Sequence, residues 1–294
     1  MIRVNPFKGL GIALVTPFNT DGSIHFEQLE QLVETQIKEG VDFLCVLGTT
    51  AEIPCLTPDE KRAVIETVKR VNAGRVPLLL GAGTNSTTAV IDYLQTEDLT
   101  GFQGVLIVTP YYNKPSQEGL YCHFKAIAEA SPLPVVLYNV PGRTAVNLTA
   151  ETTLRIANDC PNVVAIKEAS GNVAQIDTII ENAPEGFEVL SGDDAITFEL
   201  LTIGAVGVIS VVGNAYTADF GKMIHKAIAG DYTAALNIHR KFSKVYPLLS
   251  TDGNPSGIKA LMAILQKAEN RVRLPLVPVR ETTFNELEAF VQNF

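Results

Sequence analysis

Val163-Val164-Ala165-Ile166-Lys167-Glu168 reads as a strand without a polar face: four apolar residues in succession, then two ionisable ones. Alternating residues would mark a sheet with one side in water, whereas an unbroken apolar run suits a parallel strand covered on both faces. Parallel strands need crossovers, so helices must lie between this strand and its neighbours. The stretch also raises a chemical question. Lys167 closes a run that should be buried, where an unpaired ammonium is costly.

Working outward, similar β-rich runs recur along the chain: Gly11 to Val15, Phe43 to Leu47, Val76 to Leu80, Val105 to Val108, Pro134 to Leu137, Phe187 to Leu190 and Val206 to Val211. Gly, Pro, Thr, Ser or Asn bounds each of them, so with Val163 to Ile166 there are about eight strands. Segments of helical period lie between. Thr57-Pro58-Asp59-Glu60 starts one with an N-cap threonine, proline at the first helical position and glutamate placed for a capping box. Val64, Ile65, Val68 and Val71 then form one apolar stripe. Another helix carries Leu29, Leu32, Val33 and Ile37 and stops at Gly40.

Eight alternating strands and helices are the number that closes a barrel, so the fold class is α/β, a (β/α)8 TIM barrel. An open doubly wound sheet is disfavoured because Gly81-Ala82-Gly83 lacks the third glycine of a dinucleotide fingerprint and no phosphate loop is present. The barrel is expected over residues 1–230 and an appended C-terminal helical region over 231–294. Within the latter, helices are expected at Tyr232 to Leu249, Ile258 to Ala268 and Phe284 to Val291.

The chain has 294 residues, 46% of them hydrophobic and 19% charged, which is ample for a large core and an ordinary aqueous surface. A net charge of −9, with no cluster of Lys and Arg, argues against nucleic acid or anionic membrane as a partner. The first residues lack a signal-peptide apolar region, and no stretch reaches the roughly 18 apolar residues of a membrane span, so a cytoplasmic location is expected. Cys45, Cys55, Cys122 and Cys160 are scattered and the four histidines are dispersed, so free thiols are expected, with no metal and no cofactor.

Barrel enzymes place their chemistry where strands end. Those positions here are Thr16-Pro17, Gly48-Thr49-Thr50-Ala51-Glu52, Gly81 to Thr84, Thr109 to Tyr112, Tyr138 to Arg143, Lys167-Glu168, Ser191 to Asp194, and Ser210. Lys167 could pair with Glu168 or another carboxylate as a structural ion; a neutral amine in the same place could attack a carbonyl carbon and form a Schiff base. Gly48-Thr49-Thr50 is either a simple turn or a carboxylate cradle of backbone N–H groups and hydroxyls. Tyr138 is either a core aromatic or a proton shuttle beside the amine. Arg143 is either solvated or a fork for a substrate carboxylate.

The segments Gly48-Thr49-Thr50-Ala51-Glu52, Thr109-Pro110-Tyr111-Tyr112-Asn113-Lys114-Pro115, Tyr138-Asn139-Val140-Pro141-Gly142-Arg143-Thr144 and Ile166-Lys167-Glu168-Ala169, together and in this order, resemble the dihydrodipicolinate synthase family of pyruvate-dependent Schiff-base enzymes. The resemblance runs from the first strand to at least Gly207-Val208-Ile209-Ser210 and is looser in the final helices. It implies condensation of pyruvate with L-aspartate-4-semialdehyde in lysine and diaminopimelate biosynthesis, with Lys167 forming the imine and Tyr138 moving protons. Thr49 and Thr50 would hold the pyruvate carboxylate, and Thr49 would link Tyr138 to Tyr112 of a neighbouring subunit. Ile209 would line the pocket near the bound keto acid, and Gly192 counts among the substrate-binding residues. Arg143 would recognise the carboxylate of the semialdehyde. The implied assembly is a homo-oligomer, a tetramer built from dimers.

Related enzymes of the same superfamily, such as N-acetylneuraminate lyase, share the lysine and the tyrosine, and Gly142-Arg143-Thr144 favours the synthases over them. Outside this chemistry, a barrel for phosphorylated substrates should have glycine-rich loops after its last strands, of which Gly192 and Gly213 give little. A non-catalytic metabolite-binding barrel would use Lys167 as a counter-ion. The sequence departs from the family at Ala51, where glycine is usual, so this turn must avoid positive φ. It also has Pro58, Lys61 and Ala89 where lysine-inhibited members carry histidines and a glutamate, so weak or absent feedback inhibition by lysine is expected.

Overall fold

Burial along their whole length turns the apolar runs into strands. The structure, a computed structural model, describes residues 4–294; the first three residues, part of the stretch expected to lack a signal-peptide apolar region, lie outside them. The strands are β1 (Gly9–Ala13), β2 (Phe43–Val46), β3 (Leu78–Gly81), β4 (Gly104–Val108), β5 (Val135–Asn139), β6 (Val163–Glu168), β7 (Glu188–Ser191) and β8 (Gly207–Ser210). All their residues are buried except Val108 and Glu188, which are partly exposed. They form a closed barrel in sequence order, and pairing is parallel between β1 and β2 and from β3 through β8. The expected (β/α)8 barrel is the observed fold.

The helices are α1 (Phe26–Lys38), α2 (Pro58–Asn72), α3 (Thr87–Thr96), α4 (Gln117–Ala130), α5 (Pro141–Thr144), α6 (Ala150–Asp159), α7 (Val173–Asn182), α8 (Thr197–Thr202), α9 (Thr217–Ile228), α10 (Tyr232–Phe242), α11 (Val245–Thr251), α12 (Ser256–Ile264) and α13 (Glu281–Gln292). Their starts follow from local chemistry. Thr57 accepts from the Glu60 N–H while Glu60 accepts from the Thr57 N–H, the capping box read from the sequence. Ser86, Ser116, Thr149, Asn172 and Asp231 cap five others through their side chains. Past the end of α1, Gly40 takes a left-handed φ of 88°.

The chain divides into two compact units, one of residues 4–8 with Pro77–Ile209 and one of Gly9–Val76 with Ser210–Phe294. The first holds β3 to β7, most of β8, and α3 to α8; Phe7 packs where Gly104 lacks a side chain, since a Cβ there would lie 2.7 Å from its ring. The second holds β1, β2, α1, α2 and α9 to α13. In it Gly11 gives its place to the Phe43 ring, which a Cβ would meet at 2.1 Å. The Asn214 side chain accepts from the Val15 N–H and donates to the Ala13 carbonyl, tying the end of β1 to the loop after β8.

The C-terminal helices differ in detail from the expected ones. Tyr232 to Leu249 is two helices, α10 and α11, because Pro247 has no N–H to offer the Ser243 carbonyl, although Ser243 and Lys244 keep helical dihedrals. The third helix stops at Ile264, short of Ala268, because Gln266 turns left-handed at φ 57°. Phe220, Phe242 and Tyr216 pack edge to face around this region.

Arg273 fastens the segment before α13 to the start of α2, donating two bonds to the Glu60 carboxylate at 2.5 and 2.7 Å. The Arg273 guanidinium, offset in part by burial, lowers the Glu60 carboxyl from its ordinary 4.5 to about 2. A depressed carboxylate contributes stability that is complete above its unfolded value and lost as it protonates. Thermal unfolding should therefore show a falling midpoint as pH drops from about 4.5 toward 2, and Glu60→Gln should flatten that limb. An unchanged acid limb in the variant would count against the clamp.

Candidate active site

Strand geometry decides what Lys167 can meet. Successive strand residues face opposite sides, and the register sets Lys167 beside Tyr138 of β5 and Leu190 of β7, with Glu168 beside Asn139 and Ser191. Lys167 and Tyr138 therefore share one face of the sheet and Glu168 and Asn139 the other. Lys167 and Tyr138 are each only 6% exposed, and the lysine Nζ lies over the tyrosine ring, 4.2 Å from its centre. Gly192 supplies the room: a Cβ there would stand 3.1 Å from Cγ and Cε of Lys167 and 2.7 Å from Cβ of Ala169.

The structural reading of Lys167 required an acid. Glu168 is turned away and committed elsewhere, its oxygens accepting from Asn139 Nδ2 at 3.1 and 3.2 Å, the Ser170 N–H at 2.8 Å and Gln175 Nε2 at 3.0 Å. Burial raises the Glu168 carboxyl above its ordinary value, and these donors partly offset the shift. Among the described residues no carboxylate forms an ion pair with Lys167. What remains is a buried amine at the end of an apolar strand, against a phenol.

The other candidates in this unit are dispersed around the strand ends. Ile209 is buried in β8 at 1% exposure. Arg143 rides on α5, exposed beside Gly142, while the buried Thr144 anchors that short helix by hydrogen bonds with Thr109 Oγ1 and the Val146 N–H. Tyr112 is 90% exposed and holds a left-handed φ of 72°. Its loop is nonetheless fixed, since Asn113 Nδ2 donates to the Asn85 carbonyl and Asn85 Nδ2 to that of Tyr111. An aromatic ring is thus held out from its own fold.

Thr49 and Thr50 belong to the second unit, in the turn Thr49–Ala51 that follows β2. A helical turn leaves its first N–H groups without internal acceptors, so this one presents donors at its start. Thr50 is buried, its Oγ1 accepting from Asn254 Nδ2 at 3.1 Å, and Thr16 Oγ1 donates to the Ala51 carbonyl at 2.8 Å. Ala51 indeed avoids the left-handed region; Leu47 at φ 55° and Glu52 at φ 57° take it instead.

Two residues of this neighbourhood escaped the sequence reading. Asn254 and Lys259 lie about two hundred positions from their partners Thr50 and Glu52, and Glu52 was placed at a strand end without a partner for its charge. The available signal was Lys259 itself, a lone cation in Ser256-Gly257-Ile258-Lys259-Ala260-Leu261-Met262, all of it buried. Cys45 and Cys160 are buried free thiols as expected, whereas Cys122 is exposed. Among the described residues no His, Cys, Asp or Glu cluster could hold a metal ion, and no helix is long and apolar enough to cross a membrane.

The model of the dihydrodipicolinate synthetase family matches residues 6–294. The chain belongs to the dihydrodipicolinate synthetase family. It is 57% identical over 288 residues to a 4-hydroxy-tetrahydrodipicolinate synthase of Phocaeicola vulgatus, covering 97% of this chain and 96% of the relative. Among solved family structures, the chloride-inhibited dihydrodipicolinate synthase of Acinetobacter baumannii complexed with pyruvate is 38% identical, with a TM-score of 0.94 and coverage of 97% and 98%. A monomeric dihydrodipicolinate synthase variant is 42% identical, also at TM-score 0.94, with coverage of 97% and 96%. Membership of the dihydrodipicolinate synthetase family thus extends through the C-terminal helices, where the motifs were weakest.

Proposed function

We infer that this chain, an enzyme of the lyase type, condenses pyruvate with L-aspartate-4-semialdehyde to give 4-hydroxy-tetrahydrodipicolinate. The observation that carries the reading is the setting of Lys167: a buried amine without an acid partner, packed on Tyr138 and given space by Gly192. The neutral amine attacks C2 of pyruvate, and loss of water from the carbinolamine gives an imine. Protonated, the imine draws electrons from the methyl group; loss of a methyl proton yields an enamine, whose terminal carbon attacks the aldehyde carbon. The amino group of the semialdehyde then adds to C2, closes the ring and displaces the lysine.

Tyr138 carries protons in these steps, since its hydroxyl is on the same strand face as the amine. Thr49 and Thr50 hold the pyruvate carboxylate, consistent with the donors at the start of their turn. Gly192 and Ile209 shape the space for the keto acid. Thr49 and Tyr112 complete the proton relay, Tyr112 from a neighbouring copy; its 90% exposure on a fixed loop suits such a role, and it makes the working enzyme an oligomer, in our reading a tetramer. Four free thiols fit a reducing compartment, and we place the enzyme in the cytoplasm.

Arg143 is assigned to the carboxylate of the semialdehyde. With that charge-assisted contact removed, Arg143→Ala should lower kcat/KM for the semialdehyde by roughly 10- to 100-fold. Formation of the pyruvate imine, trapped with borohydride, should be unaffected. Loss of trapping in the variant would move Arg143 to the pyruvate step, and full semialdehyde turnover would remove it from the site.

A further inference from the structure

Glu52 and Lys259 are the unexplained pair of the second unit: both side chains are fully buried and their charged atoms lie 2.5 Å apart. Lys259 also donates to the Arg271 carbonyl at 2.7 Å and lies over the Phe18 ring at 4.2 Å. The second oxygen of Glu52 accepts from the Arg273 N–H at 2.9 Å. Desolvation brings the Lys259 ammonium down to about 8, with Glu52 pulling in the opposite direction. A buried pair is weak as a source of stability, because apolar residues of similar volume can do as well. Its position suggests another use.

Glu52 is the residue after the Thr49–Ala51 turn, its own N–H closes that turn on the Thr49 carbonyl at 3.1 Å, and its φ of 57° is left-handed. A glutamate adopts that conformation only where its surroundings enforce it. The side-chain tether to Lys259 and to the Arg273 backbone is such an enforcement. Asn254, five residues before Lys259, acts on the same turn from another side: its amide donates to Thr50 Oγ1 at 3.1 Å. A hydroxyl that accepts there keeps its own hydrogen for a second partner.

We propose that Lys259 and Asn254 are positioning residues for substrate carboxylate binding, Lys259 locking the turn through Glu52 and Asn254 orienting the Thr50 hydroxyl so that its hydrogen is available to an anion. This rests on the assignment of Thr49 and Thr50 to the pyruvate carboxylate. The device sets binding of the keto acid and leaves the imine chemistry to Lys167.

The test is steady-state kinetics with pyruvate varied, on Asn254→Ala, Asn254→Asp, Lys259→Met and, as a reference, Thr50→Ala. Asn254→Ala should raise the pyruvate KM about tenfold, the scale of one hydrogen bond to a charged group, with kcat within about threefold. Asn254→Asp should be worse, because a carboxylate takes the hydroxyl hydrogen for itself and repels the substrate anion. Lys259→Met should reproduce the KM effect while retaining the wild-type circular dichroism spectrum. If Lys259→Met fails to fold, the two Asn254 variants decide the matter alone. A pyruvate KM unchanged in the Asn254 variants, or kcat and KM degrading together with a lower melting temperature, would overturn the proposal. An unchanged KM in Thr50→Ala would instead overturn the carboxylate assignment beneath it.

Discussion

Replacing Lys167 by methionine is expected to lower kcat by about 10^5-fold or more, the scale of removing a covalent nucleophile. Methionine keeps an unbranched stem of similar length in the space left by Gly192, so packing against Tyr138 should survive. The melting temperature should hold or rise, since a buried amine without an acid partner is exchanged for an apolar group. Activity and stability therefore separate in one variant. A counter-ion in a non-catalytic barrel would give another pattern: no turnover of pyruvate in the wild-type protein, and loss of anion binding alone in the variant.

Tyr138→Phe is the second large effect, a fall in kcat of about 10²- to 10⁴-fold, the contribution of one positioned acid–base group. The ring over Lys167 is kept and the hydroxyl is lost, so the variant isolates proton transfer from packing. Imine formation with pyruvate should become slow and remain complete at long times. Full kcat in Tyr138→Phe would reduce the tyrosine to a core aromatic, the alternative its sequence position left open.

Periodicity and punctuation were enough for a parallel sheet covered on both faces, and the count of eight strands with no dinucleotide fingerprint chose the closed barrel over a doubly wound sheet. They also placed Lys167, Tyr138 and Gly192 at strand ends; register sets Tyr138 beside Lys167, and Gly192, just past β7, lies against the lysine stem. Glu168 shows what a pattern does not carry. As the neighbour of Lys167 in sequence it looked like a partner, yet a strand sends consecutive side chains to opposite faces, and its donors come from β5, from α7 and from the loop between β6 and α7. Lys259 and Asn254 were hidden for a related reason: their partners, Glu52 and Thr50, are some two hundred residues earlier, and no local spacing links them. The split of α10 from α11 was legible in Pro247 and was missed.

The most direct measurement is incubation with pyruvate and borohydride, followed by peptide mass analysis. A reduced pyruvyl group on the peptide containing Lys167, absent without pyruvate and absent in Lys167→Met, is the predicted result. An unmodified Lys167, or the adduct on another lysine such as Lys259, would contradict the imine on which the account rests.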